Sequence, residues 1–329
     1  MNYNEIQSSA SEANPFPAAR FIREIGRGVK GARSLSESDA RDLFQAILER
    51  RVSDLELGAI LLSMRIKGES VAETAGFLQA AEASFNLLEA PQSDYMPVVI
   101  PSYNGARRLA NLTPLLALLL ARAGAPVLVH GVLHDTGRVT SAEIFRELGV
   151  MPVMSHQHAE KSLQENLPVL MAIEHLAPRL AELLALRKIL GLRNSTHTLV
   201  KIMQPFKQAA LRLTSYTHPE YASMLSQFFS GAADPRRGPV FLMRATEGET
   251  VASIKKVQQI EWFHDGVRST LVESQLGTDL DLSIPADAQG TATWIRQVLE
   301  GSVAVPVNIA DQVSHILMAA KNAKVNSCD

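Results

Sequence analysis

The residues with the clearest potential for chemistry are cations gathered in one segment that lacks acidic residues. Between residues 183 and 219 the chain carries six lysines and arginines and no aspartate or glutamate. An excess of one charge sign in a segment favours binding of the opposite charge, here phosphates. The segment therefore predicts a broad, exposed polyanion-binding face formed by Arg187, Lys188, Arg193, Lys201, Lys207 and Arg212.

Two further stretches are also poor in acids. Residues 20–33 contain five cations and one glutamate, and residues 95–134 contain three arginines and no acid. At helical spacing, Arg23 and Arg27 lie on one side of a first helix and are expected to extend the binding face. The other side is expected to form a homodimer contact through Phe21, Ile22, Ile25 and Val29. The alternative for each group is an ordinary solvated surface, neutralised by acids elsewhere in the fold.

The composition describes a folded protein. The chain has 329 residues, 46% hydrophobic and 20% charged, which excludes wholesale disorder. Its single cysteine, Cys328, excludes an internal disulfide framework and a cysteine-based zinc site and fits a reducing compartment. The longest uncharged, mostly apolar run has 13 residues, fewer than the ~18 that span a bilayer, and no signal peptide is recognised. We expect a soluble, cytoplasmic protein with no membrane partner.

The hydrophobic pattern changes near residue 90. Residues 1–16 predict a polar, mobile arm, residues 17–90 a helical domain, and residues 91–329 an α/β domain. Helices from about residues 176–206 are expected to join the helical domain.

Short β-branched runs predict the strands of the second domain. Residues 96–100, 126–130 and 150–154 are interpreted as buried strands with helices between them, and residues 196–213 as a further helix that is interrupted near Pro205. Strand–helix–strand alternation indicates a central, mainly parallel sheet.

The helical segment resembles a known family. Residues 35–83, with the motif Met64-Arg65-Ile66-Lys67-Gly68-Glu69, are similar to the N-terminal helices of anthranilate phosphoribosyltransferases, where the motif is Leu-Arg-x-Lys-Gly-Glu. Residues 187–193 are similar to the family's Arg-Arg-x-Leu-Gly-Ile-Arg. The similarity covers nearly all of residues 17–325. It implies a nucleoside phosphorylase/phosphoribosyltransferase-type fold, with a small N-terminal helical domain and a larger α/β domain.

The family's donor-site motifs are degenerate here. Its glycine-rich loop falls on residues 101–106, its Asn-Ile-Ser-Thr on 111–114 and its Lys-His-Gly-Asn on 129–132. Pro101 and Tyr103 stand where a phosphate-binding loop needs bare backbone amides. The positions that remain as a vestigial donor site are Asn104, Gly105, Asn111, Thr113, His130 and Gly131.

The same degeneration reaches the metal-binding pair. The family's Asp-Glu pair falls on residues 247–249, where Gly248 replaces one carboxylate, and we expect Glu247 and Glu249 in a surface turn. The resemblance is to a second branch of TrpD-like proteins. Membership of that branch implies a homodimer that binds nucleic acid without sequence preference and lacks the biosynthetic activity.

These observations lead to two functional hypotheses. The first is a nucleic-acid-binding protein, DNA or RNA, that contacts the phosphate backbone, favours single-stranded DNA and needs no cofactor, metal or catalytic residue. Because Phe206 is the only aromatic between residues 183 and 214, base stacking is expected to be minor. The alternative is a glycosyl- or phosphoribosyltransferase of altered substrate, which would use Mg²⁺. His130 is interpreted as a hydrogen-bonded residue at a strand end.

Overall fold

The computed structural model describes residues 16–28, 30–276 and 283–326. It opens with four helices, α1 (Ala18–Ile25), α2 (Glu37–Leu48), α3 (Asp54–Lys67) and α4 (Val71–Ala83). Of the expected mobile arm, residues 1–15 lie outside the described residues, as do Val29 and Cys328.

Local sequence sets where these helices begin and how closely they pack. Ser53 and Ser70 each form a capping box at the start of α3 and α4. Helices α2 and α4 approach to backbone contact at Gly76, where a Cβ atom would lie 2.2 Å from the Glu37 carbonyl oxygen. A larger residue at that position would push the two helices apart.

The rest of the described chain forms a seven-stranded sheet covered by helices. Its spatial order is β3-β2-β1-β4-β5-β6-β7; β1 to β5 pair in parallel, and β6 and β7 are antiparallel. The strands are β1 (Val98–Ser102), β2 (Val127–Gly131), β3 (Val169–Ala172), β4 (Leu211–Tyr216), β5 (Val240–Arg244), β6 (Ile260–His264) and β7 (Val267–Val272).

Helices connect the parallel strands β1 to β5, and two more follow β7. They are α5 (Thr113–Arg122), α6 (Ser141–Glu147), α7 (His156–Gln164), α8 (Ile173–Leu176), α9 (Pro178–Ala185), α10 (Arg187–Leu190), α11 (Thr196–Ile202), α12 (Pro219–Gly231), α13 (Ala288–Leu299) and α14 (Val307–Asn326). No helix among the described residues is long and apolar enough to cross a membrane.

Both faces of the sheet are buried along the parallel strands β1 to β5, whereas the edge strand β7 is largely exposed. Along β1, Val99 faces the core that it shares with the N-terminal helices, whereas Val98 and Ile100 face a second core on the opposite side. Helices α9 and α11 contribute Leu180 and Leu199 to the first core. The predicted architecture, an N-terminal helical bundle with a mainly parallel α/β sheet, is confirmed.

One strand assignment and part of one helix assignment from sequence are wrong. Residues 150–154 form no strand of the sheet; Val153 makes only an isolated bridge to Met171, and the third strand is Val169–Ala172. The helix expected over residues 196–213, interrupted near Pro205, is present only as α11, which ends at Ile202; its expected second part is not helical, and Leu211–Tyr216 forms β4. Arg212 interrupts the apolar pattern of β4, and this obscured the strand.

Candidate functional site

A pocket opens where the order of the strands reverses. The chain runs outward from β1 to β2 and β3 and then returns to the other side of β1 as β4. Ligands of open α/β sheets bind beyond the carboxyl ends of the strands at such a point. Here Tyr103 follows β1 and Tyr216 ends β4, and both line a pocket together with Arg65 of α3 and Lys201 of α11. The pocket is open at its mouth and has a cavity volume of about 120 Å³.

The loop after β1 donates its backbone amides to a carboxylate of the chain itself. Glu249 Oε1 accepts hydrogen bonds from the backbone N–H groups of Asn104, at 3.0 Å, and Gly105, at 2.7 Å. Gly248 sits directly against this loop, since a Cβ atom there would lie 2.6 Å from the Asn104 Cβ. The loop that carries phosphates in the resembling family therefore holds an internal anion.

Glu247 likewise accepts hydrogen bonds from backbone amides, those of residues 107–109. Its Oε2 accepts from the backbone N–H groups of Arg107, Arg108 and Leu109, at 2.5, 2.8 and 3.3 Å. Burial raises the pKa of Glu247, but the three amides and Arg138 more than offset it, so the net pKa is lowered. The expected surface turn is wrong for Glu249, which is only 1% exposed, because its carboxylate is needed inside as the partner of the loop.

The six vestigial donor positions are brought together, but mainly as structure. Only Asn104 lines the pocket, where its Oδ1 accepts a 2.7 Å hydrogen bond from Arg193. Gly105 has φ +65°, and its amide is held by Glu249. Gly131 lies so close to the Ser102 carbonyl that no Cβ atom fits.

The other three vestigial residues are buried. Asn111 accepts from the backbone N–H of Thr113 and donates to the Ser141 hydroxyl, which fixes the start of α5. His130 Nδ1 lies 2.7 Å from the Tyr103 hydroxyl, and burial lowers the pKa of His130 to about 3, so the ring is neutral. None of the three lines the pocket.

Three cations line this cleft, Arg65, Arg193 and Lys201, and Arg138 and Arg187 lie near Arg193. Burial lowers the pKa of Arg193, and Arg187, Arg138 and Arg65 lower it further. Burial also lowers the pKa of Lys201 to about 8, although Glu249 partly opposes the shift. Like charges that depress each other's pKa lie close together without full neutralisation.

The structure divides the six cations of the acid-free segment. Arg193 and Lys201 line the pocket, and Arg187 and Lys188 are exposed on α10 beside it. Lys201 was expected on an exposed face, but it is largely buried and its Nζ lies 3.4 Å from the Gly248 carbonyl oxygen.

Lys207 and Arg212 do not belong to the surface predicted for them. Arg212 is 3% exposed on a central strand, donates to the Ile202 and Gly238 carbonyls, and has its pKa lowered by burial to about 10. The Lys207 Nζ lies 2.6 Å from the Glu89 carboxylate. Lys207 is thus paired with an acid from outside the segment, and Arg212 is held by backbone carbonyl groups.

The first helix also differs from expectation. Arg23 and Arg27 are exposed but do not line the pocket, and Arg27 pairs with Glu24 at 2.9 Å. Phe21 and Ile25, expected at a dimer contact, are 3% and 1% exposed because they pack into the core. Val29 lies outside the described residues.

Sequence reasoning missed several pocket residues. Arg65 and Glu69 belong to the motif quoted above, which could have indicated them. Tyr216 and Tyr221 carried no signal, because only the pairing of β4 beside β1 brings them to the cleft.

Comparison with known proteins agrees with this geometry. The helical bundle domain of a glycosyl transferase family matches residues 19–84. YbiB of Escherichia coli (strain K12), itself described as uncharacterized, is 42% identical over 308 residues, covering 92% of this chain and 94% of YbiB. An anthranilate phosphoribosyltransferase of Natronomonas pharaonis is 25% identical over 288 residues, covering 86% of this chain and 84% of the enzyme.

Solved structures show the same fold. Anthranilate phosphoribosyltransferase (TrpD) from Thermus thermophilus superposes with a TM-score of 0.71 at 19% identity, over 95% of this chain and 90% of the enzyme. The Saccharomyces cerevisiae enzyme in complex with PRPP and Mg gives 0.70 at 13% identity, over 94% and 92%. With YbiB similar over nearly its whole length, the chain belongs to the TrpD-like family and is built on its phosphoribosyltransferase scaffold.

Proposed function

We propose that the cleft binds the phosphate backbone of nucleic acid, without reading sequence and with a preference for single strands. The observation that carries the proposal is the set of three cations that line one pocket, Arg65, Arg193 and Lys201, with Arg138 and Arg187 near Arg193. Two carboxylates, Glu69 and Glu249, lie beside them and offset part of this charge, while both also accept hydrogen bonds from neutral donors. Glu69 accepts from the Ser195 hydroxyl at 2.5 Å, and Glu249 holds the loop amides.

The positive charge left over favours a ligand with several anionic groups. One carboxylate or phosphate needs one or two cations, whereas this cluster continues out of the pocket to the exposed Arg187 and Lys188. Contacts to phosphate supply most of the sequence-independent affinity for nucleic acid and make it strongly salt-dependent.

The loop after β1 binds carboxylates of the chain itself, and this argues against transfer of a phosphoribosyl group from phosphoribosyl pyrophosphate. Five backbone amides that could bind a diphosphate already donate to Glu247 and Glu249. With anthranilate, phosphoribosyl pyrophosphate and Mg²⁺ supplied, we expect no phosphoribosyl anthranilate above a control without protein. Formation of this product would contradict the inference that Glu247 and Glu249 block the binding of the diphosphate.

A magnesium ion does not fit this arrangement. The described residues contain no group of three or more histidine, cysteine, aspartate or glutamate side chains that could hold a metal. The carboxylates of Glu247 and Glu249, which replace the family's metal-binding pair, are turned to backbone amides instead. For the transferase alternative to hold, the turn that carries Glu247 and Glu249 would have to move away from the loop after β1.

The proposal includes a homodimer. Its contact surface is not the one expected on α1 but a patch on α3 and around α10. Exposed apolar side chains gather on α3 and around α10: Leu55, Leu62, Ile66, Ile189, Leu190 and Leu192. Apolar patches of this kind mark interaction surfaces. The groove that they form shares Arg65 and Arg193 with the cleft, so a second copy docked here would place two cationic clefts side by side.

A salt-dependent binding titration tests the proposal. Fluorescence anisotropy with a single-stranded oligonucleotide should show affinity that falls steeply as salt rises. The double variant Arg187→Ala, Arg193→Ala removes two cleft cations and should reduce the slope of log K against log salt by about 1.4, at ~0.7 per phosphate contact.

The matched control is Lys207→Ala with Arg236→Ala, two exposed cations that pair with acids outside the cleft. It should bind as the parent does, and circular dichroism should show all three proteins folded. If both double variants lose affinity equally, or neither does, the cleft is not the binding surface.

A further inference from the structure

The cleft carries aromatic side chains that phosphate contacts leave unused. Tyr103 follows β1, Tyr216 ends β4, and His218 and Tyr221 stand at the start of α12. All four line the pocket that also contains Arg193. The expectation that stacking is minor came from the aromatic content of one segment, whereas these four residues come from two others.

Hydrogen bonds fix two of these rings and leave two without such contacts. The Tyr103 hydroxyl is bonded to His130, and the Tyr221 hydroxyl accepts from Arg65 at 2.9 Å. Among the described residues, neither the Tyr216 hydroxyl nor the His218 ring makes a hydrogen bond. Tyr216 is half-buried and His218 exposed, so both can meet a ligand at the pocket mouth.

The floor of the same pocket has an unused polar group. Ser215 is 4% exposed, and its hydroxyl has no hydrogen-bond partner within the described part of the chain. Buried hydroxyl groups are normally paired, so an unpaired one that lines a pocket indicates a ligand with a polar edge.

We propose that this pocket takes one unstacked nucleobase of a bound strand, with the flanking phosphates on Arg193 and Arg187; this inference rests on the proposed function. A base offers a flat π-face to Tyr216 and His218 and a hydrogen-bonding edge to Ser215. Every base has such a face, so the site adds affinity without selecting sequence. Because a duplex keeps its bases stacked inside, the pocket also explains a preference for single strands.

Three oligonucleotides of equal length and charge test the inference by fluorescence anisotropy: a thymine strand, a fully abasic strand, and an abasic strand with one central thymine. The parent protein should bind the abasic strand about 10-fold more weakly than the thymine strand, the scale of stacking one base. The single central thymine should restore most of the difference.

Two variants of Tyr216 test whether its ring stacks on the base. Tyr216→Ala should bind all three strands with the affinity that the parent shows for the abasic strand, with an unchanged salt slope. Tyr216→Phe keeps the ring and should retain the parent's discrimination. Loss of discrimination in both variants, or in neither, would overturn the role of the ring.

The outcomes separate this inference from the proposed function. If the parent binds thymine and abasic strands equally, the base pocket is wrong while phosphate binding stands. If it binds neither strand, both proposals fail together. Displacement of the single-thymine strand by millimolar anthranilate but not by thymidine monophosphate would identify the pocket as a site for aromatic acids and overturn the inference.

Discussion

Replacing Lys201 with methionine should stabilise the fold while weakening nucleic-acid binding. The ammonium group lies in the cleft, close to Arg193 and Arg138, and burial is the main cause of its lowered pKa. Methionine has a similar length and no charge, so Lys201→Met removes the cation with little change in packing. Functional sites often combine poor stability with good binding in this way.

The size of the effect follows from the pKa of Lys201. A fall from 10.5 to about 8, at 1.36 kcal/mol per pKa unit, corresponds to about 3 kcal/mol against the charged form in the folded state. The attraction to Glu249 is already contained in that value. At pH 7 the free energy of unfolding of Lys201→Met should therefore exceed that of the parent by up to about 3 kcal/mol.

The pH dependence provides a sharper test. Above pH 8 the folded parent loses the Lys201 proton, while the unfolded chain keeps it to about pH 10.5. The unfolded state then binds more protons, so the parent gains stability as pH rises. Urea unfolding at pH 7 and pH 9.5 should show the gap between variant and parent narrowing by about 2 kcal/mol. A variant less stable than the parent at pH 7, or a gap independent of pH, would refute this reasoning.

Three other perturbations follow from the structure. Glu249→Ala leaves two buried amides without an acceptor and should lower the free energy of unfolding by about 2 kcal/mol or more in urea titration; an unchanged midpoint would show that the loop does not depend on it. Because the pKa of His130 is about 3 in the fold and ~6.5 when unfolded, the parent should lose stability as pH falls from 6.5 towards 3. In thermal melts His130→Asn should flatten that loss and the exposed His158→Asn should not; equal slopes would contradict a buried neutral His130. Leu55→Asp combined with Ile189→Asp should give a monomeric mass by light scattering, whereas the parent is expected to give a dimeric mass; a dimeric variant would exclude this patch.

Much of the fold could be predicted from local sequence. Residues 35–83 show helical periodicity, and Ser53 and Ser70 form the capping boxes expected of helix starts. The β-branched runs that include Val98–Ile100 and Val127–Val129 form neighbouring parallel strands. These features depend on residues a few positions apart, which a sequence displays directly. The short strand Val169–Ala172 was missed because four apolar residues do not distinguish a strand from a helix.

The sequence by itself determined that the chain has an α/β scaffold of a known type, a degenerate phosphate loop and an excess of cations in one segment. Only the tertiary structure decided which cations act together. Arg65, Arg138 and Arg193 meet because separate elements converge at one pocket, whereas Arg212 is buried on a strand and Lys207 meets Glu89. The structure also placed Glu249 on the loop amides. The physical reason is that burial and pairing of a charge depend on which distant segments pack beside it, and that information is absent from the spacing of residues along the chain.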